Sequence, residues 1–247
     1  MAASTGAPTD HSFYWRKLHS LTGILPIGVY LLFHLWENSY ALVSPEKYNE
    51  ISQGMQTIPW RVPVEIAVLG LPILYHSLYG LYVWWSGKSN VVRYPWVGNW
   101  MFTVQRWTGL LALLFIGFHV WTTRILEHGK TTFASMNHQF ESTLYVVFYL
   151  IGVTACAVHL GVGIWNFMCK WGLAATVRSQ RAAGYLGVLV AVMLTVMGFA
   201  VVAGLRYSWH PFNSYLPNNK SVRPQRPDRF VFRAGKGNRT PVISLES

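Results

Sequence analysis

The sequence predicts an all-α membrane protein with five transmembrane helices. Three observations point there. Of 247 residues, 52% are hydrophobic and 12% charged, against about 25% charged in soluble domains. Aromatic residues reach 15%, with 12 Trp among them, and Trp and Tyr favour membrane interfaces. Five apolar stretches are each long enough to cross a bilayer core, which takes roughly 20 residues of helix.

The first stretch runs from about Leu21 to Tyr40 and the second from about Val64 to Trp85. The third runs from about Gln105 to Leu126, the fourth from about Leu144 to Met168, and the fifth from about Ala183 to Leu205. Pro26 and Pro72 fall inside the first two. Neighbouring helices can satisfy the carbonyls a proline frees, so neither forbids a span. The polar opening MAASTGAPTDHSFYWRK has no signal-peptide apolar core, so the first span is expected to stay in the mature protein. No internal sequence repeat and no soluble catalytic domain stand out. The chain divides into a membrane domain, 1–208, and a tail, 209–247, whose PNNKSVRPQRPDRF reads as basic and disordered.

The net charge is +11, which suits nucleic acid, acidic lipid or a topology bias. In so apolar a chain we read lipid and topology, with no nucleic-acid partner. Arg16, Lys17, Lys88, Arg93, Lys170, Arg178 and Arg181 flank the spans on one side, against Lys47, Arg61, Arg124 and Lys130 on the other. Seven against four places the N-terminus in the cytoplasm and, after five spans, the C-terminus outside. The tail's arginines then lie on the disfavoured side. Cys156 and Cys169 are 13 residues apart, about 20 Å along a helix and beyond disulfide reach. No Cys-x-x-Cys-His occurs, so covalent haem attachment is not expected.

Four histidines lie inside the spans: His34, His76, His119 and His159, one on each of helices one to four. An ionisable group within a bilayer is costly and marks function by default, although any one alone could merely bond a neighbouring helix. Their depths separate them. At 1.5 Å per residue, His34 and His119 lie about 20 Å from the inner ends of their helices, and His76 and His159 about 14 Å. Two imidazoles at one depth on facing helices can clamp one planar iron porphyrin. Two layers therefore predict two b-type haems in a bundle of helices one to four, with helix five peripheral. A structural zinc would gather its four ligands at one point. Gly80, Gly109, Gly117, Gly152 and Gly161 leave room for a flat macrocycle, or serve ordinary close packing. For the haem propionates, Arg16, Lys17, His19, Ser20, Arg106 and Lys170 stand near the inner surface; each of the charged ones is equally suited to setting topology or snorkelling.

The segments RKLHSLTGILPIG, LPILYHSLYGLY, NWMFTVQRWTG, FHVWTTRI, HLGVGIWNFMCKWG and RSQR closely resemble the cytochrome b anchor of bacterial succinate dehydrogenase and fumarate reductase, in its five-helix, di-haem class. The resemblance spans roughly residues 13 to 205. It implies that His34 and His119 hold an outer haem and His76 and His159 an inner one. It implies a flavoprotein subunit and an iron–sulfur subunit on the cytoplasmic face of the bacterial inner membrane. Succinate would be oxidised on the flavoprotein, and electrons would pass through both haems to a quinone, menaquinone in this class. Trp36, Glu37, Asn38, Glu50, Glu65, Arg124 and Glu127 are the candidates near the outer haem, each otherwise a solvated loop residue. No carboxylate stands beside His159 in helix four, which argues against a proton route there. The residues alone also admit a cytochrome b anchor for a hydrogenase or formate dehydrogenase, or a haem-free transporter.

Overall fold

In the computed structural model, residues 10–213 are described. Five helices are long and apolar enough to cross a membrane: helix one Phe13–Leu42, helix two Arg61–Ser86, helix three Val97–Leu126, helix four Thr143–Lys170 and helix five Val177–Tyr207. No strand occurs among the described residues. The chain is an all-α, multi-pass membrane protein.

Each span outruns its apolar stretch. Helix one begins well before Leu21, so Arg16, Lys17 and His19 continue the helix. An apolar run marks only the lipid-embedded length, whereas backbone hydrogen bonding carries on into polar residues. Both prolines are accommodated by widened turns. Gly23–Gly28 around Pro26 and Ile66–Gly70 before Pro72 are π-type turns. Bonding i→i+5 relaxes the clash between a proline ring and the carbonyl four residues back.

Helix four is the centre of the bundle, with Gly152, Ala155, Ala157, Leu160, Gly161 and Val162 all buried. Helix five lies along it at close range. A Cβ at Gly161 would strike the Gly187 carbonyl, and one at Gly187 would strike the Gly161 carbonyl. Without a hydrophobic drive between helices in lipid, such close backbone approach supplies the packing. The opposite face of helix five, with Tyr185, Val188, Val192 and Val196, is exposed.

Two short helices, unmarked by any long apolar run, close one end of the bundle. Pro45–Gln56 starts at Ser44, whose hydroxyl accepts from the Lys47 amide at 3.1 Å. Phe133–Phe140 starts with a Thr132–Ser135 capping box. The Asn49 carboxamide oxygen accepts the Phe133 amide at 2.8 Å and joins the pair. Asn137 donates to the Leu205 carbonyl at 2.5 Å, serving one of the orphan acceptors at the end of helix five. Beneath them Tyr48, Phe115, Phe133, Met136, Phe140, Tyr149 and Val201 form the main core cluster. The end where helix one begins is the near side, and the end under the short helices is the far side.

The expected tail falls largely on residues 214–247, outside the described residues. Its first residues differ from expectation. The His210 Nδ1 donates to the Ala41 carbonyl at 2.9 Å, and the Phe212 amide to the Leu42 carbonyl at 3.2 Å. Carbonyls left over at the end of helix one find donors there.

Candidate functional site

One elongated cavity of about 1180 Å³ runs through the bundle, lined from Arg16 and Lys17 on the near side to Arg61 and Arg124 on the far side. All four span histidines line it. They meet in two pairs. The His76 and His159 rings are 6.2 Å apart between centroids at 89°, and those of His34 and His119 are 5.7 Å apart at 68°. Helices two and four supply the near pair, helices one and three the far pair. Helix five adds Leu194, Gly198, Val201 and Leu205 to the lining.

Three of the four rings are held by Nδ1. That atom of His76 donates to the His19 carbonyl at 3.0 Å, and that of His159 to the Gln105 carbonyl at 3.0 Å. His119 Nδ1 bonds the Tyr149 phenol at 2.9 Å. His34 is held more loosely, with the Tyr30 phenol and the Asn38 amide each 3.5 Å from its Nδ1. An Nδ1–H fixed in this way leaves Nε2 as the lone-pair nitrogen, the usual arrangement of a metal-binding imidazole.

The residues fit haem. Two imidazoles on opposite sides of one metal, at about 2 Å each, have ring centroids about 6 Å apart, as both pairs do. Among the described residues no group of three or more His, Cys, Asp or Glu could hold a bare metal ion. The Nε2 of His19 is buried without a partner, although its ring stacks on His76 at 4.1 Å and 9°. With the ring proton on that nitrogen, His19 has a buried donor that needs an acceptor, and an anionic propionate is one.

The other near-side candidates also line the cavity: Ser20, Arg106 and Lys170, with Arg16 and Lys17. The Arg106 guanidinium donates to the Trp84 carbonyl and stands 5.1 Å from the Phe102 ring. Lys17 donates to the Lys170 carbonyl at 2.5 Å and lies 4.6 Å from the Trp171 ring.

The far-side candidates divide. Glu37, Asn38, Glu65 and Arg124 line the cavity. Glu65 receives Arg124 at 2.7 Å and Arg61 at 3.2 Å. Trp36 is 51% exposed and outside the lining. Glu50 pairs with Lys47 at 2.7 Å on the short helix and is also outside it. Glu127 accepts from Gln139 at 3.2 Å. Sequence reasoning missed Tyr149, Thr22 and Thr108, which touch three of the four histidines. Their only sequence signal is helical spacing opposite the histidines. Away from the spans, burial pushes the Tyr48 phenol up, and it donates to Asn38 at 3.4 Å.

A curated relative decides the family. The succinate dehydrogenase cytochrome b558 subunit of Bacillus subtilis (strain 168) is 35% identical over 195 residues, 78% of this chain and 96% of that protein. The chain belongs to the succinate dehydrogenase/fumarate reductase cytochrome b family. The family model described as "Succinate dehydrogenase/Fumarate reductase transmembrane subunit" matches residues 85–199, which takes in helices three and four and most of helix five. As a member of this family, the chain is the membrane subunit of a succinate dehydrogenase complex.

Proposed function

We propose that this subunit binds two b haems and a quinone, and links succinate oxidation on partner subunits to quinone reduction in the membrane. The observation that carries the reading is the stacking of two imidazole pairs in one continuous cavity. His76 and His159 would hold the near haem, and His34 and His119 the far one. When bound, haem b supplies a one-electron iron couple whose potential the protein tunes through its axial ligands, hydrogen bonds and burial.

The chain's own residues do the rest. The His19 and Gln105 carbonyls and the Tyr149 phenol fix which imidazole nitrogen faces the iron. His19, Ser20, Arg106 and Lys170 offer donors to the near propionates. On the far side Glu37, Glu65 and Arg124 face the same cavity, where a carboxylate can exchange a proton with a quinone oxygen. The quinone would be menaquinone, the usual one in the five-helix, di-haem class the sequence resembles. The excess of Lys and Arg on the near side supports a cytoplasmic orientation for it, in a bacterial inner membrane, where a flavoprotein and an iron–sulfur subunit would dock.

The test is haem counting on the purified complex. A redox titration should resolve two b-type couples per chain. His76→Ala or His159→Ala should remove one couple and stop quinone reduction. Two couples surviving either change would refute the ligand assignment. Co-purification of soluble subunits with succinate-oxidising activity checks the partner reading.

A further inference from the structure

Helices one and three carry the same short device. In helix one it is His19-Ser20-Leu21-Thr22-Gly23, and in helix three Gln105-Arg106-Trp107-Thr108-Gly109. The first residue of each offers its carbonyl to the Nδ1–H of a near histidine on the following helix. The distance is 3.0 Å from His76 to His19 and 3.0 Å from His159 to Gln105.

Three positions on, each threonine shares that helix face. Its hydroxyl oxygen lies 3.5 Å from His76 Nδ1 in one copy and 3.4 Å from His159 Nδ1 in the other. Both hydroxyl protons have backbone acceptors, Thr22 giving to the His19 carbonyl at 3.1 Å and Thr108 to the Val104 carbonyl at 2.7 Å. Each oxygen therefore presents a lone pair to the ring N–H.

Four positions on, each glycine lies against the ring. A Cβ would come within 2.6 Å of His76 Cε1 at Gly23, and within 2.8 Å of His159 Cε1 at Gly109. A lone Thr or Gly in an apolar helix is ordinary packing. Here the same three contacts recur on two helices whose intervening residues differ.

The copies also share a register with the far histidines. Gly109 is followed ten positions later by His119, along regular helix, and Gly23 eleven positions later by His34. Helix one takes up its extra residue in the wide turn Gly23–Gly28, since an i→i+5 turn holds one residue more than an α turn.

We infer that these two Xaa-x-x-Thr-Gly segments are duplicate seats that fix the tautomer and plane of the near imidazoles, with Thr22, Gly23, Thr108 and Gly109 as positioning residues. The wide turn in helix one keeps the two copies in step with the far pair. The inference rests on His76 and His159 being the near ligands. Together the seats hold those rings close to perpendicular.

The experiment uses the whole complex carrying Gly23→Ala, Gly109→Ala, Thr22→Val or Thr108→Val. The readouts are the low-field ferric EPR feature of the near haem, which reports the mutual orientation of its imidazoles, and its midpoint potential. Each glycine variant should shift both, leaving the far haem as in wild type. Each Thr→Val variant should move the near potential upward, and Thr→Ser at the same position should restore it. Gly54→Ala, in the Pro45–Gln56 helix and outside the cavity lining, is the control, because a Cβ there meets nothing within 4 Å. If the glycine variants match the control in both readouts, the seats are overturned. If a glycine variant fails to assemble, the near-isosteric Thr→Val pair decides by the same readouts, and unchanged values overturn the proposal. His76→Ala is run alongside. Two haems surviving that change would refute the ligand reading itself, whatever the seat variants show.

Discussion

The Nδ1 atom of His119 lies 2.9 Å from the phenol oxygen of Tyr149, and that contact begins a chain to the far surface. Tyr149 is 3.0 Å from the Tyr145 phenol, Tyr145 donates to the Gln139 carboxamide oxygen, and Gln139 donates to Glu127 at 3.2 Å. A phenol has one proton. Tyr145 has two acceptors in reach, Gln139 and Tyr149; with its proton on Gln139, the contact between the phenols would run from Tyr149 to Tyr145. In that arrangement, with the His119 proton on Nδ1, every donor points from the imidazole toward the Glu127 carboxylate.

Such a chain would draw the His119 ring proton away and make the ring a stronger electron donor to the iron of the proposed far haem. Tyr149→Phe keeps the buried ring but removes the acceptor. A neutral hydrogen bond is worth about 1 kcal/mol, equivalent to about 40 mV in a one-electron couple. The far haem's midpoint potential should rise by that order, with the near haem's unmoved. Glu127→Gln should shift the far couple in the same direction by less. Redox titration monitored in the visible region checks both, and a fixed far potential in Tyr149→Phe would detach the chain from the iron.

Much of this site can be read in the sequence, for a physical reason. A histidine in an apolar run is conspicuous because burying it costs free energy, so all four stood out. One of the far-side candidates, Trp36, could have been set aside by helical phase alone. Trp36 follows His34 by two residues, about 200° around the helix, while Glu37 and Asn38 share the histidine's side. Trp36 is accordingly outside the cavity, and Glu37 and Asn38 line it. Tyr145 and Tyr149 could not be read, because a tyrosine in an apolar helix looks like core or interface until its partner is known. The Pro45–Gln56 and Phe133–Phe140 helices escaped a search for long apolar runs. Their start signals, Ser44 before Pro45 and Thr132 three residues before Ser135, are of the kind that helix capping needs.

The contact between helices four and five makes a stability prediction of its own. Gly161 and Gly187 face each other with each Cβ position blocked by the other's carbonyl. Gly161→Ala must push two backbones apart, and overpacking of this kind costs about 1–3 kcal/mol. Gly54, in the Pro45–Gln56 helix, has nothing within 4 Å of its Cβ position. There Gly→Ala should stabilise by roughly 0.5–1 kcal/mol. Thermal unfolding of the detergent-solubilised complex should therefore move down for Gly161→Ala and slightly up for Gly54→Ala. Equal shifts would mean that helix five is held by something other than close backbone contact.

Glu65, paired with Arg61 within helix two, ties the start of that helix to the end of helix three through Arg124, and it also lines the cavity with the far pair. These two roles predict different losses. As a partly exposed ion pair it is worth at most about 1 kcal/mol, so Glu65→Gln should barely alter melting or haem content. As a carboxylate exchanging protons with a bound quinone, it should matter by about 10²-fold or more in turnover. The measurement is succinate:quinone reductase activity set against succinate-driven reduction of an artificial dye that accepts electrons before the membrane subunit. Glu65→Gln should depress the first by that factor and spare the second. Glu50→Gln, outside the cavity on a surface ion pair, should spare both. Equal rates for Glu65→Gln and wild type with quinone would leave Glu65 a structural tie, and proton exchange would then fall to Glu37, the other far-side carboxylate that faces the cavity.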